Sequence, residues 1–231
     1  MSWFMRFARS TIGLKIAMAI SGLMLFGFVI VHMMGNLQVF LGAHALDHYG
    51  EILQGEQEIL WLARIGLLSL VLVHIVASVI LVLRARSARP QGYRRRQTKA
   101  MTFAARTMRY SGPVILAFIV FHLLHLTVGL VQPGLQHCAV DAGGDLRCHV
   151  FANVVNAFSP QFWWLAATYI VAQLLLGMHL GHGAYSMFRT LGLSSPRYDR
   201  VARAFASAVA VIIVVGNCSI PLAVLTGLVH N

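Results

Sequence analysis

The chain has 231 residues, of which 58% are hydrophobic and 11% charged, and its mean hydropathy is +0.73. That apolar content exceeds what a soluble domain of this size carries and calls for lipid as solvent. A formal charge of +11 invites comparison with nucleic-acid-binding proteins, but the cations gather between apolar runs rather than along one soluble face, which argues against that class.

Taken in order, the chain opens with Arg6, Arg9 and Lys15 around the start of an apolar run that continues from about Thr11 past Leu41. No small-residue cleavage site follows a short apolar core, so this run reads as a retained span rather than a signal peptide. About 20 apolar residues rising ~1.5 Å each cross the hydrocarbon layer. By that standard the sequence predicts an all-α integral membrane bundle of five transmembrane helices, over about 14–41, 59–83, 111–132, 161–187 and 204–229. Polar, Gly and Pro residues mark connections at 88–99, 133–148 and 194–200. The whole chain, 1–231, reads as a single transmembrane domain without a soluble domain or an internal repeat. None of the 3 cysteines belongs to a CxxC or CxxCH motif, so neither a thiolate metal site nor covalent haem attachment is indicated. Cys138 and Cys148 bracket a polar loop, and read either as a disulfide in an oxidising compartment or as two thiols.

Charge orients the bundle, because cytoplasmic loops collect Lys and Arg. After the N-terminal cluster come Arg84, Arg86, Arg89, Arg94, Arg95, Arg96, Lys99, Arg106 and Arg109 between the second and third spans, then Arg189, Arg197, Arg200 and Arg203 after the fourth. All of these share one side. The other carries Asp47, Glu51, Glu56 and Glu58 after the first span, then Asp141, Asp145 and a lone Arg147 after the third. The expectation is a cytoplasmic N-terminus and an external C-terminus.

Six histidines fall within the spans: His32, His74, His122, His125, His179 and His182. An ionisable residue at membrane depth is costly and marks a functional site. Four different spans each contribute at least one. Counting ~1.5 Å per residue from the span starts, His32 and His122 fall in the outer half of the bilayer and His74 and His179 in the inner half. Low-spin haem iron accepts two imidazoles on opposite faces. Two layers therefore predict two haems, one between His32 and His122 and one between His74 and His179. Zinc fits less well, since no cysteine or acidic residue completes four ligands in either layer. Small residues near the histidines, including Gly22, Gly177, Gly181 and Gly183, suit close backbone approach. Spacing alone leaves His125 and His182 open as alternative ligands or as hydrogen-bonding neighbours of the ligands. Arg109 and Arg189 are candidate partners for propionates of the inner haem, or snorkel to the headgroups.

These residues resemble the cytochrome b membrane-anchor subunit of bacterial succinate dehydrogenase and fumarate reductase, in its single-chain, five-helix, di-haem form. The resemblance rests on Ser21-Gly22-Leu23, Val31-His32-Met33-Met34-Gly35-Asn36-Leu37, Leu72-Val73-His74, Met108-Arg109-Tyr110-Ser111-Gly112, Phe121-His122-Leu123-Leu124-His125 and Met178-His179-Leu180-Gly181-His182-Gly183. It covers four of the five spans. The resemblance implies that His122 rather than His125, and His179 rather than His182, are axial ligands, and that the first span pairs with the third and the second with the fourth. It implies two haem b groups and a quinone substrate, menaquinone in many di-haem members. It also implies an FAD-carrying flavoprotein, an iron-sulfur subunit docked on the cytoplasmic face, and residence in the bacterial cytoplasmic membrane. The chain itself would contribute no catalytic residue to succinate chemistry. It would be the electron-transfer and quinone-reactive subunit.

Some di-haem members carry a glutamate in the span of the last haem histidine as a proton path. No carboxylate stands in that span here, so no such path is expected. His44, Asp47, Glu51 and Glu58 are the polar candidates for a quinone site near the outer haem, and loop solvation explains them equally well. Two other classes remain open to the sequence: a di-haem anchor for a hydrogenase or formate dehydrogenase, and a haem-free membrane protein.

Overall fold

A computed structural model of the chain describes residues 2–88, 103–140, 146–193 and 195–231. Arg89, Arg94, Arg95, Arg96, Lys99, Asp141 and Asp145 lie outside these described residues. Five helical segments are long and apolar enough to cross a membrane: Thr11–Leu41, Gln57–Ser87, Ala105–Thr127, Pro160–Thr190 and Asp199–Leu225.

A short helix, α1 (Trp3–Arg9), ends at Ser10. The extended backbone of Ser10 breaks the helix, and its hydroxyl accepts the Gly13 N–H at 3.0 Å, capping the next helix, α2 (Thr11–Asn36). A 3-10 turn (Leu37–Leu41) tightens the end of α2 and stops at Gly42, whose φ of 94° only glycine adopts easily. The chain then enters α3 (Ala43–Gly55) and α4 (Gln57–Ser87). Helix α5 (Phe103–His122) runs on into a π turn (Leu123–Thr127). Strands β1 (Cys138–Val140) and β2 (Leu146–Cys148) form a small antiparallel ribbon in which Cys138 and Cys148 are joined by a disulfide. Helices α6 (Val150–Ala157), α7 (Trp163–Thr190) and α8 (Asp199–Leu225) complete the chain.

The spans differ from the sequence reading mainly at their ends. The third was expected over 111–132. Helix begins at Phe103 and ends at Thr127, because Gly129 turns the chain at φ 77° and Gln132 folds back onto His125. The apolar residues at 128–131 extended the hydropathy signal without being helical. The last span, expected over 204–229, starts at Asp199 and ends at Leu225. Its first turn holds Asp199, Arg200 and Arg203, too polar for a hydropathy window, and Arg203 pairs with Asp199 at 2.7 Å across one helical turn.

One end of the bundle carries the start of α2 and the end of α7. The opposite end is covered by α3, the ribbon and α6, joined by side chains that satisfy backbone donors. Asp47 of α3 accepts the Phe151 N–H at 2.8 Å, which caps α6, and Asn153 accepts the His137 N–H at 2.6 Å. Beneath this cover Val39, Leu46, Phe151, Val155, Phe158, Ala166, Tyr169, Ile220 and Val224 form a buried core. Elsewhere the packing is helix on helix. Helix α7 lies close on α8, where Gly177 faces Val214 and Gly181 faces Ala210, and α8 meets α2 where Gly216 faces Met33. Helix α4 packs mainly on α2 and leaves most of its surface outward, with Leu62 and Leu68 at 74% and 70% exposure. Aliphatic side chains so arranged suit contact with lipid and would be a liability in water.

Candidate functional site

The four histidines expected as ligands meet in two pairs. The rings of His32 on α2 and His122 on α5 lie 5.8 Å apart between centroids, at an interplanar angle of 84°. Those of His74 on α4 and His179 on α7 lie 6.4 Å apart at 62°. In neither pair are the two parent helices close-packed on each other; α2 packs on α4 and α5 on α7 instead. Each pair thus bridges a gap. Two imidazoles bound through nitrogen at ~2 Å to one metal on opposite faces would have centroids about 6 Å apart. Both separations match.

Hydrogen bonding selects which nitrogen faces the gap. His74 Nδ1 lies 3.2 Å from the Met18 carbonyl and 3.3 Å from the Ser21 hydroxyl. His179 Nδ1 lies 3.2 Å from the Ser111 hydroxyl, and His122 Nδ1 lies 3.3 Å from the Tyr169 hydroxyl. Since a carbonyl only accepts, His74 Nδ1 carries the proton and donates, leaving Nε2 as the lone-pair nitrogen. That is the arrangement of metal-binding histidines, whose second nitrogen donates to a fixed acceptor. Phe28 and Phe118 stack on His32 and His122 at 5.3 Å and 5.9 Å, which fixes the outer rings from the side. Gly22 lets α2 approach α4, since a Cβ there would sit 3.1 Å from the His74 ring.

His125 and His182 stand apart from both pairs. His125 is completely buried, with Nδ1 3.0 Å from the Tyr169 hydroxyl and Nε2 2.8 Å from Gln132 Oε1, so both its nitrogens are engaged. His182 is half-buried and makes no hydrogen bond or ring contact among the described residues. Of the two arginines singled out, Arg189 lines a cavity of about 430 Å³ with Ile12, Lys15, Ile16, Ser186 and Thr190. Lys15 lies about one turn along α2 from Met18, whose carbonyl meets His74 Nδ1. Arg109 is exposed on α5 and does not line the cavity.

Among the polar residues considered for a quinone, Asp47 is committed to capping α6, and Glu51 lies 3.7 Å from His48, on whose ring His44 stacks at 6.2 Å. Glu58 sits in the first turn of α4. Sequence reasoning missed Tyr169, Gln132 and Lys15, and took Ser21 and Ser111 only as parts of larger motifs. A tyrosine ten positions before His179 on the same helix was the one available signal.

No group of three or more His, Cys, Asp or Glu side chains converges among the described residues. The chain matches no protein-family model, no curated protein and no solved structure.

Proposed function

We propose that the chain is a di-haem cytochrome b that anchors a succinate:quinone oxidoreductase in the bacterial cytoplasmic membrane and passes electrons between an iron-sulfur subunit and a quinone. The observation that carries this reading is the pair of imidazole couples, one metal-width apart, on four helices at two depths. His74 and His179 hold the inner haem iron, and His32 and His122 the outer. Lys15 and Arg189, with Ser186 and Thr190 beside them, supply cations and donors for the carboxylates of the inner haem. Haem, when bound, supplies reversible one-electron transfer. The chain's own work is to orient the imidazoles, exclude water from the gaps and separate the two centres. Eleven residues separate Ser21, beside the inner pair, from His32 on the same helix, so the two layers lie ~16 Å apart along the bundle.

The end bearing α1 faces the cytoplasm on this reading, by its excess of Lys and Arg. The Cys138–Cys148 disulfide at the opposite end supports the same orientation, because structural disulfides persist on the oxidising side. The basic end docks the iron-sulfur subunit, which in turn carries the FAD-bearing flavoprotein. The quinone, menaquinone by the resemblance, reacts near the outer pair. Gentle solubilisation from native membranes tests this directly. The expected preparation shows a reduced-minus-oxidised b-type spectrum, two haems per chain, and co-purifying flavoprotein and iron-sulfur subunits with succinate:quinone activity. A colourless preparation sinks the haem assignment, and a different iron-sulfur partner transfers the anchor to another respiratory enzyme.

A further inference from the structure

The two helices that carry the outer histidines are built on one pattern. Ser21-Gly22 and Ser111-Gly112 are each followed, seven positions after the serine, by a phenylalanine (Phe28, Phe118) and, at eleven, by a histidine (His32, His122). Eleven residues is close to three helical turns, so serine and histidine share a face. The contacts repeat as well. Each phenylalanine stacks on its own helix's histidine. Each serine reaches across to the neighbouring helix and meets Nδ1 of an inner histidine, Ser21 to His74 and Ser111 to His179. The bundle therefore does contain an internal repeat, in which α2 stands to α4 as α5 stands to α7.

Both serines are 2% exposed. Their hydroxyl protons already have acceptors: Ser21 Oγ donates to the Ala17 carbonyl at 2.8 Å, and Ser111 Oγ donates to the Met108 carbonyl at 3.3 Å. Each oxygen is thereby left to receive an imidazole N–H. The outer pair is served differently, by Tyr169 on His122, while His32 has no hydrogen-bond partner among the described residues.

We infer that Ser21 and Ser111 are positioning residues for the inner metal centre alone, each holding an inner imidazole with Nε2 towards the gap and strengthening it as an electron donor to the metal. The inference rests on the haem reading above. An acceptor on Nδ1–H raises the basicity of the ligating nitrogen and favours the ferric state. Removing it raises the midpoint potential of the inner haem. The two serines are unequal in this respect. His74 also has the Met18 carbonyl at 3.2 Å, whereas the Ser111 hydroxyl is the one Nδ1 partner of His179 among the described residues.

The test is a redox titration of the solubilised complex followed by visible and electron paramagnetic resonance spectra, with His74→Ala and His32→Ala variants assigning the two haem signals. Ser111→Ala is expected to shift the inner midpoint upward and Ser21→Ala to shift it less, with the outer midpoint unchanged in both. Ser111→Thr, which keeps the hydroxyl, is expected to titrate as the native protein does, and Ser111→Cys to fall between. The outer signal reports whether each variant is folded. An unchanged inner midpoint in Ser111→Ala, equal movement of both midpoints, or a larger effect from Ser21→Ala overturns the inference while leaving the haems in place. Absence of haem from the native chain would overturn the proposed function, and this assignment with it.

Discussion

Tyr169→Phe isolates one hydroxyl at the covered end of the bundle. The ring is fixed by edge contacts with Phe158 at 4.9 Å and Phe118 at 5.0 Å, and phenylalanine keeps these, so no cavity opens. What is lost is a shared oxygen. With His122 Nδ1 donating to it, the hydroxyl donates to His125 Nδ1, and His125 Nε2–H donates to Gln132 Oε1, leaving Gln132 Nε2 as the unpaired end of the chain. His125 is completely buried, so its orphaned nitrogen costs ~1–3 kcal/mol. His122 is partly open and adds less, giving a total of roughly 1.5–4 kcal/mol. Equilibrium unfolding in detergent micelles, followed by circular dichroism, measures the difference. In a His125→Leu background the same substitution is expected to cost under ~1 kcal/mol, because the buried acceptor is already gone. A cost below ~0.5 kcal/mol in the native background, or the same cost in both backgrounds, would refute the shared-hydroxyl account.

The proposed haem ligation makes sharper predictions. His74→Ala and His179→Ala each remove the inner haem signal, and His32→Ala and His122→Ala each remove the outer one, read from difference spectra of the purified protein. His125→Ala keeps the outer haem and lowers stability; loss of that haem with His122 dispensable would reverse the ligand choice. Gly177→Ala drives a methyl into Val214 and costs ~1–3 kcal/mol as overpacking, and Val214→Ala recovers most of it in the double variant's unfolding curve. Alkylation of the unfolded, unreduced chain followed by mass spectrometry labels one cysteine, Cys218, and all three after reduction. Two or more labels before reduction would contradict the Cys138–Cys148 pairing.

Hydropathy carried the five spans because lipid demands an unbroken apolar run, and nothing else in the chain supplies one. Residue counting along antiparallel helices anticipated that His32 meets His122 and His74 meets His179, since axial rise is nearly constant. What escaped was fixed by turns and by polar contacts between distant positions. Gly129 and Gln132 end the third span by geometry that hydropathy ignores, and α3 and α6 are too short and mixed to stand out from loops. The contacts that set His125 apart from His122, a bond to Gln132 and burial against Tyr169 forty-four positions further on, were not legible either, because a tyrosine in an apolar helix reads as ordinary packing.

The repeat was hidden for a related reason. Four positions in twelve carry it, Ser, Gly, Phe and His, and the apolar residues between, which include Phe26, Gly27, Pro113 and Phe121, differ between the two helices at every position. Those positions have directional work: an acceptor for a neighbour's imidazole, a stacking face and an imidazole of its own in both copies, and in α2 room for the neighbour's imidazole at Gly22. In such a bundle the lipid-facing positions need only be apolar, whereas the polar contacts need particular side chains. The informative sequence features are therefore the sparse ones that make these contacts, and a multi-helix membrane chain yields most when its spans are compared at polar and glycine positions only. For this chain that comparison aligns α2 with α5 at once, and Ser21 and Ser111 then stand out as equivalent positions on the strength of residue type and spacing alone.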